Sequence, residues 1–126
     1  MNGTYALTVR GSISAAHRLR DYDGNCERLH GHNWRVEVTL ESNTLDERGI
    51  AIDFREIKSF LAEILGAFDH RHLNDISPFD TLNPSSENFA CLIFKEMEKR
   101  VPSPIVVSKV AVWESDDARA EYFIKR

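Results

Sequence analysis

The sequence predicts an α+β fold in which a four-stranded antiparallel sheet carries two helices on one face, in the chain order β-β-α-α-β-β. Three observations predict it. Residues 5–17 and 32–40 alternate apolar and polar side chains, as half-buried strands do. Two central segments place apolar residues at helical spacing, and two β-rich runs around a turn close the chain. Strands at both ends with helices between them are typical of a sheet covered on one face.

The first two strands are separated by an irregular loop. In the first strand, apolar side chains occupy alternate positions from Tyr5 to Ala15, and His17 follows in the same phase. One face of the second strand is formed by His32, Trp34, Val36, Val38 and Leu40. The turn-forming residues 21–25 between the strands lead the chain to Cys26.

Two capped helices and a hairpin follow. Asp53 can cap a first helix, because its side chain can accept hydrogen bonds from the free N–H groups of the first turn. The core stripe of this helix consists of Phe54, Ile57, Leu61, Ile64, Leu65 and Phe68. A second helix begins at Ser85 or Ser86, where a hydroxyl can cap it, and Pro102 ends it. The closing hairpin comprises residues 105–113 and 120–124.

The second face of the sheet needs a cover of its own. The segments 105–107 and 122–124 carry apolar side chains at successive positions, so both faces of these strands are apolar. A strand that is apolar on both faces is typical of a sheet buried on both sides. We therefore expect other subunits of an oligomer to cover the second face.

Composition narrows the classes of function. With 126 residues, the chain is expected to form one domain, residues 1–126. A net charge of −4 without a Lys/Arg cluster argues against nucleic acid as a partner. The first residues have neither a basic segment nor an apolar stretch of signal-peptide length, and no segment approaches a membrane span. We expect a cytoplasmic protein without a membrane partner.

Three histidines are candidates for metal binding. In His30-Gly31-His32 at the start of the second strand, alternation puts both imidazoles on one face, about 6.5 Å apart along the chain. Pairing of the two strands can bring His17 beside them. Three imidazoles leave one position of a tetrahedral zinc open, as in catalytic rather than structural sites. The alternative is that these are ordinary histidines without a metal.

Cys26 precedes His30 by four residues and has two interpretations. Its thiol could be a fourth ligand that closes a structural Cys-His₃ site. A thiolate near a dication has a lowered pKa, so it could instead act as a base or nucleophile. The spacing alone leaves both open.

Several motifs in a fixed order resemble the 6-pyruvoyl-tetrahydropterin synthase family, and most closely its bacterial 6-carboxy-tetrahydropterin synthase branch. The resemblance extends over nearly the whole chain. It rests on Ser14-Ala15-Ala16-His17, Cys26-x₃-His30-Gly31-His32, Ile52-Asp53-Phe54, the run from Phe68 to Asp75, the run from Asn83 to Asn88, and Glu114. Ile13 and the Ser85-Ser86 pair depart mildly from residues that are frequent in this family.

The resemblance implies a tunnelling fold that assembles into a β-barrel, usually as a homohexamer with active sites where subunits meet. It also implies zinc on the three histidines and no nicotinamide or flavin. The catalytic group it implies is Cys26, Asp69 and His70, and the pterin contacts are Glu114, Ser85 and Ser86.

Local chemistry offers alternatives for these residues. Glu114 could accept two parallel N–H bonds from the pyrimidine edge of a pterin, or could be a solvated residue at a strand end. Asp69 can polarise His70 for proton transfer if the first helix has ended, whereas a histidine at a helix end also compensates the helix dipole. Helix capping accounts for Ser85 and Ser86 equally well.

Three hypotheses follow for function. The resemblance first implies conversion of 7,8-dihydroneopterin triphosphate to 6-carboxy-5,6,7,8-tetrahydropterin, with release of acetaldehyde and triphosphate, for queuosine-type biosynthesis. Glu27 introduces a second hypothesis, because Glu-x₂-His-Gly-His is associated with relatives that cleave dihydroneopterin for folate synthesis. Formation of a pyruvoyl-tetrahydropterin belongs to the same hypothesis. The third is a non-catalytic, zinc-stabilised binding module in which Cys26 is a ligand. The basic residue that holds the triphosphate is left open among Arg18, Arg20, Arg28 and Arg71.

Overall fold

The structure, a computed structural model, describes residues 3–22 and 27–125. Its strands are β1 (Tyr5–His17), β2 (His30–Ser42), β3 (Arg71–His72), β4 (Val106–Ser115) and β5 (Ala118–Phe123). Its helices are α1 (Phe54–Gly66) and α2 (Ser86–Glu98), and a 3₁₀ turn spans Leu73–Asp75. The predicted α+β fold class is confirmed.

The sheet has the strand order β3-β1-β2-β4-β5. Its four long strands pair antiparallel, as predicted. The structure adds β3, whose two residues pair in parallel with Ala15 and Ala16 at the edge of β1. A strand of two residues is too short to show an alternating pattern, so the sequence could not reveal it.

The pairing of β1 with β2 positions the later site. Every residue of β1 has a partner, from Tyr5 opposite Ser42 to His17 opposite His30. β2 therefore begins at His30 and not at His32, where the alternation of apolar side chains starts. The pairing runs without a shift in register from one end of the two strands to the other.

Side-chain caps begin both helices where the sequence predicts them. Asp53 Oδ1 accepts a hydrogen bond from the Arg55 backbone N–H at 2.8 Å. Ser85 Oγ accepts one from the Asn88 N–H at 3.1 Å, so Ser85 is the cap and Ser86 is the first helical residue. α2 ends at Glu98, before the chain reaches Pro102, and the residues that follow it form a turn.

The core lies between the two helices and one face of the sheet. The strands contribute Trp34, Val36 and Val38 to it, and all three are fully buried. Ile57 of α1 and Phe89 of α2 are fully buried against them. No helix in residues 3–22 and 27–125 is long and apolar enough to span a membrane.

The opposite face of the sheet is mostly polar. Arg10 Nε lies 3.0 Å from Glu37 Oε2, and the Arg35 guanidinium stacks over the Trp113 ring at 4.9 Å. Exposed apolar residues such as Phe123 lie near one end of β5. Cover of this face by other subunits remains a prediction, and the polar pairs indicate that a covered face would be largely hydrophilic.

Gly11 lets α1 pack closely on β1, which gives a test of the core. A Cβ at this position would lie 3.0 Å from Leu65 Cδ1 and 3.1 Å from Leu61 Cδ2. We expect Gly11→Val to lower the free energy of unfolding by about 1–3 kcal/mol, because the added methyl groups overfill this contact. Urea denaturation measures it.

Ser12→Val is the matched control, since Ser12 is the next residue of the same strand and is exposed. Its unfolding free energy should change by about 0.5 kcal/mol or less. Equal urea midpoints for both variants would contradict the close packing at Gly11.

Candidate metal centre and active site

Three histidines from β1 and β2 converge at the end of the sheet. His17 ends β1, and its Cα partner His30 begins β2. Strand alternation brings His32 to the same face. The ring centroids lie 4.7 Å apart for His17 and His30, 5.1 Å for His17 and His32, and 4.6 Å for His30 and His32. The structure thus brings together the three residues that the sequence nominated.

Trp34 supports this cluster from the core side. Its ring packs edge-on against His17 at 4.8 Å and against His32 at 5.5 Å. The indole Nε1–H donates to the Ala15 carbonyl at 3.2 Å, which fixes the ring orientation. Because Trp34 is fully buried, the inner side of the cluster is an apolar wall.

Two backbone carbonyls fix the protonation of the imidazoles. His17 Nδ1 donates to Pro84 O at 2.7 Å, and His30 Nδ1 donates to Arg28 O at 2.7 Å. In a neutral imidazole with a proton on Nδ1, Nε2 carries the lone pair. Both Nε2 atoms can therefore act as ligands, in the arrangement typical of metal-binding histidines.

Glu114 completes a group of four potential ligands. Its Oε1 atom lies 3.2 Å from His17 Nε2, 2.8 Å from His32 Nε2 and 3.9 Å from His30 Nε2. The four ligand atoms all lie within 4.8 Å of one another. A tetrahedral zinc with bonds of about 2.0–2.1 Å would separate its ligands by about 3.3 Å, which falls inside the observed range.

The electrostatics of this group favour a cation. His32 Nε2 is buried and, among the described residues, has no partner in hydrogen-bond geometry even though Glu114 Oε1 is close. Burial lowers the pKa of His32 below its usual 6.5, although the Glu114 charge acts in the opposite direction. Neutral imidazole lone pairs that face a carboxylate repel it, and a metal ion would convert this repulsion into coordination. These four residues could hold a metal ion.

The Glu114 carboxylate contacts the histidines and is not simply free to bind a pterin. Its Oε1 atom lies on the side of the cluster where the sequence predicts an open metal coordination position for water or substrate. The Ser86 hydroxyl donates to Oε2 at 3.4 Å, so Ser86 and Glu114 adjoin. The Ser85 oxygen caps α2 instead. Sequence reasoning missed Glu114 as a potential ligand because only the pairing of β4 with β2 brings it to the histidines.

Glu27 lies at the rim of the same cluster. Its Oε1 atom is 3.8 Å from His30 Nε2 and accepts a hydrogen bond from the Leu19 N–H at 3.4 Å. Its own backbone N–H donates to Leu19 O at 2.9 Å. Cys26, the candidate base, lies outside the described residues.

Asp69 and His70 form a pair on the other edge of β1. Asp69 Oδ1 lies 3.0 Å from His70 Nδ1 and accepts a hydrogen bond from the Ser14 N–H at 3.0 Å. That N–H group, and secondarily the neighbouring His70, lower the pKa of the Asp69 carboxyl. The pair can form because α1 has ended at Gly66.

His70 adopts a backbone conformation that is uncommon for its residue type. Its φ is 59°, in the left-handed region that costs a non-glycine residue about 1–3 kcal/mol. Its N–H donates to Ser14 O at 2.6 Å, which holds this conformation. Such strain concentrates at functional sites, and here it presents a side chain that is 79% exposed beside the sheet edge.

A surface cavity lies beside His70. It has a volume of about 430 Å³ and is lined by His70, Arg71 and residues 14–16 and 31–33 of β1 and β2. Ser14 and Asn33, which line it, belong to the face of the two strands opposite the three histidines. Of the four candidate arginines, Arg71 borders it, whereas Arg20 donates to three backbone carbonyls and is thereby committed to the loop.

Replacement of a single cluster histidine tests the metal centre. We expect His17→Ala, His30→Ala or His32→Ala to weaken metal affinity by about 100-fold or more, because each removes one of the neutral nitrogen donors. Metal content after dialysis measures it. Binding should also weaken in acid, as protons compete for the imidazoles, although burial lowers the pKa of His32 and thereby delays its protonation.

The matched control is His72→Ala, a histidine of β3 that pairs with Asp75 at 3.3 Å. This variant should keep its metal. Loss of metal from His72→Ala, or full retention in all three cluster variants, would refute the assignment.

Comparison with known proteins finds relatives over most of the chain. The chain is 36% identical over 121 residues to 6-carboxy-5,6,7,8-tetrahydropterin synthase of Synechocystis sp., covering 91% of this chain and 90% of that protein. It is 30% identical over 115 residues to dihydroneopterin monophosphate aldolase of Pyrococcus furiosus, covering 91% and 94%.

Structure comparison gives the same result. The fold matches 6-pyruvoyl tetrahydropterin synthase of Caenorhabditis elegans with a TM-score of 0.84 at 25% identity, covering 98% of this chain and 97% of that one. The family model described as 6-pyruvoyl tetrahydropterin synthase matches residues 6–125. The chain therefore belongs to the 6-pyruvoyl tetrahydropterin synthase family.

Proposed function

We propose that the protein is a zinc-dependent lyase that converts 7,8-dihydroneopterin triphosphate to 6-carboxy-5,6,7,8-tetrahydropterin, releasing acetaldehyde and triphosphate. The convergence of three imidazole Nε2 atoms on the Glu114 carboxylate carries the proposal. The relative that is named for this product supports the choice among pterin reactions. We assign the activity to queuosine-type biosynthesis in the cytoplasm.

Zinc is the metal that this donor set suits best. Imidazole nitrogen and carboxylate oxygen are common zinc ligands, and zinc accepts tetrahedral geometry readily. When bound, zinc would supply a Lewis acid that lowers the pKa of the substrate's side-chain hydroxyls. The carbonyl partners of His17 and His30 favour the tautomer in which Nε2 is free to bind a metal.

Proton transfer is assigned to Cys26 and His70. Cys26 is our candidate for the base that removes a proton from the substrate side chain. His70 borders the cavity and is oriented by Asp69, whose Oδ1 atom lies 3.0 Å from His70 Nδ1. Histidine is the side chain that most often serves as a general acid or base.

Glu114, Ser86 and Arg71 are proposed to hold the substrate. If the three histidines and a substrate oxygen held the zinc, the Glu114 carboxylate would be free to accept two N–H bonds from the pterin edge. Ser86 adjoins Glu114, and we retain Ser85 as a weaker candidate because its oxygen caps α2. Arg71 borders the cavity and offers its charge to the triphosphate.

Assembly is proposed to complete the site. β5 ends the sheet on one side, and β3 covers two residues of β1 on the other, so both long edges have room for another chain. An exposed His70 beside such an edge is consistent with a homohexamer whose active sites lie at subunit interfaces.

A second candidate function is cleavage of the dihydroneopterin side chain. Glu27 Oε1 lies 3.8 Å from His30 Nε2, where a carboxylate could serve as the base in place of a thiolate. The likeness to an archaeal dihydroneopterin monophosphate aldolase favours this candidate over a pyruvoyl product.

Mass spectrometry of the products tests the proposal. Zinc-loaded protein incubated with 7,8-dihydroneopterin triphosphate should release acetaldehyde and a carboxylated tetrahydropterin. Cys26→Ala should keep its zinc and lose this product by about 100-fold or more, because the base is missing.

Glu27→Gln provides the comparison, since it removes the alternative base. It should leave the carboxylated product largely unchanged, and side-chain cleavage that depends on Glu27 would support the second candidate. If Cys26→Ala released the metal, the thiol would be a ligand and the non-catalytic zinc module would be favoured.

Glu114→Gln tests the pterin contact. We expect zinc to stay bound and the dissociation constant of an unreactive pterin to rise about tenfold or more, because a charged acceptor is lost. Glu121→Gln, a carboxylate of β5 that pairs with Arg119, should change neither. Zinc loss from Glu114→Gln alone would show instead that Glu114 is the fourth ligand.

A further inference from the structure

Two asparagines act as substitutes for a neighbouring strand where β1 ends. Asn74 Oδ1 accepts from the Arg18 N–H at 2.9 Å, and Asn74 Nδ2 donates to Arg18 O at 2.9 Å. Asn83 repeats this pair on Arg20, with distances of 2.8 Å and 3.1 Å. A carboxamide has one acceptor and one donor side, so each satisfies both backbone groups of one residue. Residues 18–20 are held in line with β1 although the sheet has ended.

The two asparagines have different further contacts. The backbone carbonyl of Asn83 accepts a hydrogen bond from Asn88 Nδ2 of α2 at 2.9 Å. The next residue, Pro84, supplies the carbonyl that accepts from His17 Nδ1. Asn83 therefore joins the end of β1 to α2 immediately before the group that orients a cluster histidine, whereas Asn74 lies in the 3₁₀ turn.

Pro84 makes this link specific. Proline has no N–H, so its carbonyl is the one polar group of its backbone, and here that carbonyl is directed at His17. Pro84 and His17 are both buried, so water does not readily replace either partner. The position of Pro84 O depends on what holds the chain on each side, namely the Asn83 carboxamide before it and the Ser85 cap after it.

We propose that Asn83 is a positioning residue of the metal centre, which sets the place of Pro84 O through its pair with Arg20 and thereby directs His17 Nε2 toward the metal. The inference rests on the proposed metal site. Asn74 makes an equal pair of bonds that does not include the Pro84 segment, so its contribution is to the stability of the loop.

Comparison of Asn83→Ala with Asn74→Ala tests this role. Asn83→Ala should weaken the affinity for Zn²⁺ and Co²⁺ by about 10–100-fold, as loss of an orienting partner of a ligand does. It should also shift the visible absorption band of the Co²⁺-loaded protein. Asn74→Ala should lower the urea midpoint of the metal-free protein at least as much while it keeps metal affinity within about threefold of the unaltered chain.

A second readout does not require metal. In the metal-free protein, imidazole ¹⁵N shifts should report a proton on Nδ1 of His17, and Asn83→Ala should produce a mixture of tautomers. Asn83→Asp retains the acceptor for the Arg20 N–H and keeps the shape of the side chain, so it should lie between the unaltered chain and Asn83→Ala, and it serves if the alanine variant does not fold.

The outcomes separate this inference from the proposed function. Unchanged affinity and tautomer in Asn83→Ala, or equal losses in both alanine variants, would overturn the positioning role. If the unaltered chain bound no metal, the zinc proposal would fail, while the tautomer measurement would still decide whether Asn83 orients His17.

Discussion

The antiparallel register of β1 and β2 determines which residues of this protein can act together. It places His17 directly opposite His30 and brings His32 to the same face. Side chains in a strand change face at every residue, so a slip of one position would turn one set of imidazoles away from the other. The buried side chains of Trp34, Val36 and Val38 resist such a slip, because it would expose them to water. The core thus specifies the geometry of the metal centre.

Around this cluster, backbone groups perform much of the orientation. The carbonyls of Pro84 and Arg28 determine which nitrogen of His17 and His30 carries the proton. The N–H and carbonyl of Ser14 hold Asp69 and His70. Ser14 belongs to a paired strand, whose backbone moves little, so the Asp69–His70 pair that it holds is organised before a substrate arrives.

The parts of the protein that the sequence predicts are those that leave a local pattern. Alternation identifies β1 and β2, Asp53 and Ser85 mark the helix starts by their capping chemistry, and the spacing of His30 and His32 indicates a shared face. Each of these signals depends on residues close together in the chain.

The unpredicted parts depend on contacts between distant segments. Glu114 reaches His17 across 97 residues, and the carboxamide of Asn83 reaches Arg20 across 63. β3 is too short for a pattern, and the start of β2 at His30 is set by its pairing with His17 of β1. Family resemblance nominated Asp69 and His70 together, whereas residue chemistry alone could not decide between a proton-transfer pair and a helix-end histidine.

One strand end carries both halves of the proposed chemistry. Ser14 holds the Asp69–His70 pair and His17 belongs to the metal cluster, so both are attached to the same four residues of β1. Three steps of an extended strand span about 10 Å, and a paired strand does not stretch or shorten readily. Within one chain, the distance between the Asp69–His70 pair and the candidate metal cluster is therefore a fixed length built into the backbone. Changes in how the helices pack would leave that length intact, and a ligand too short to bridge it could engage one half of the site but not the other.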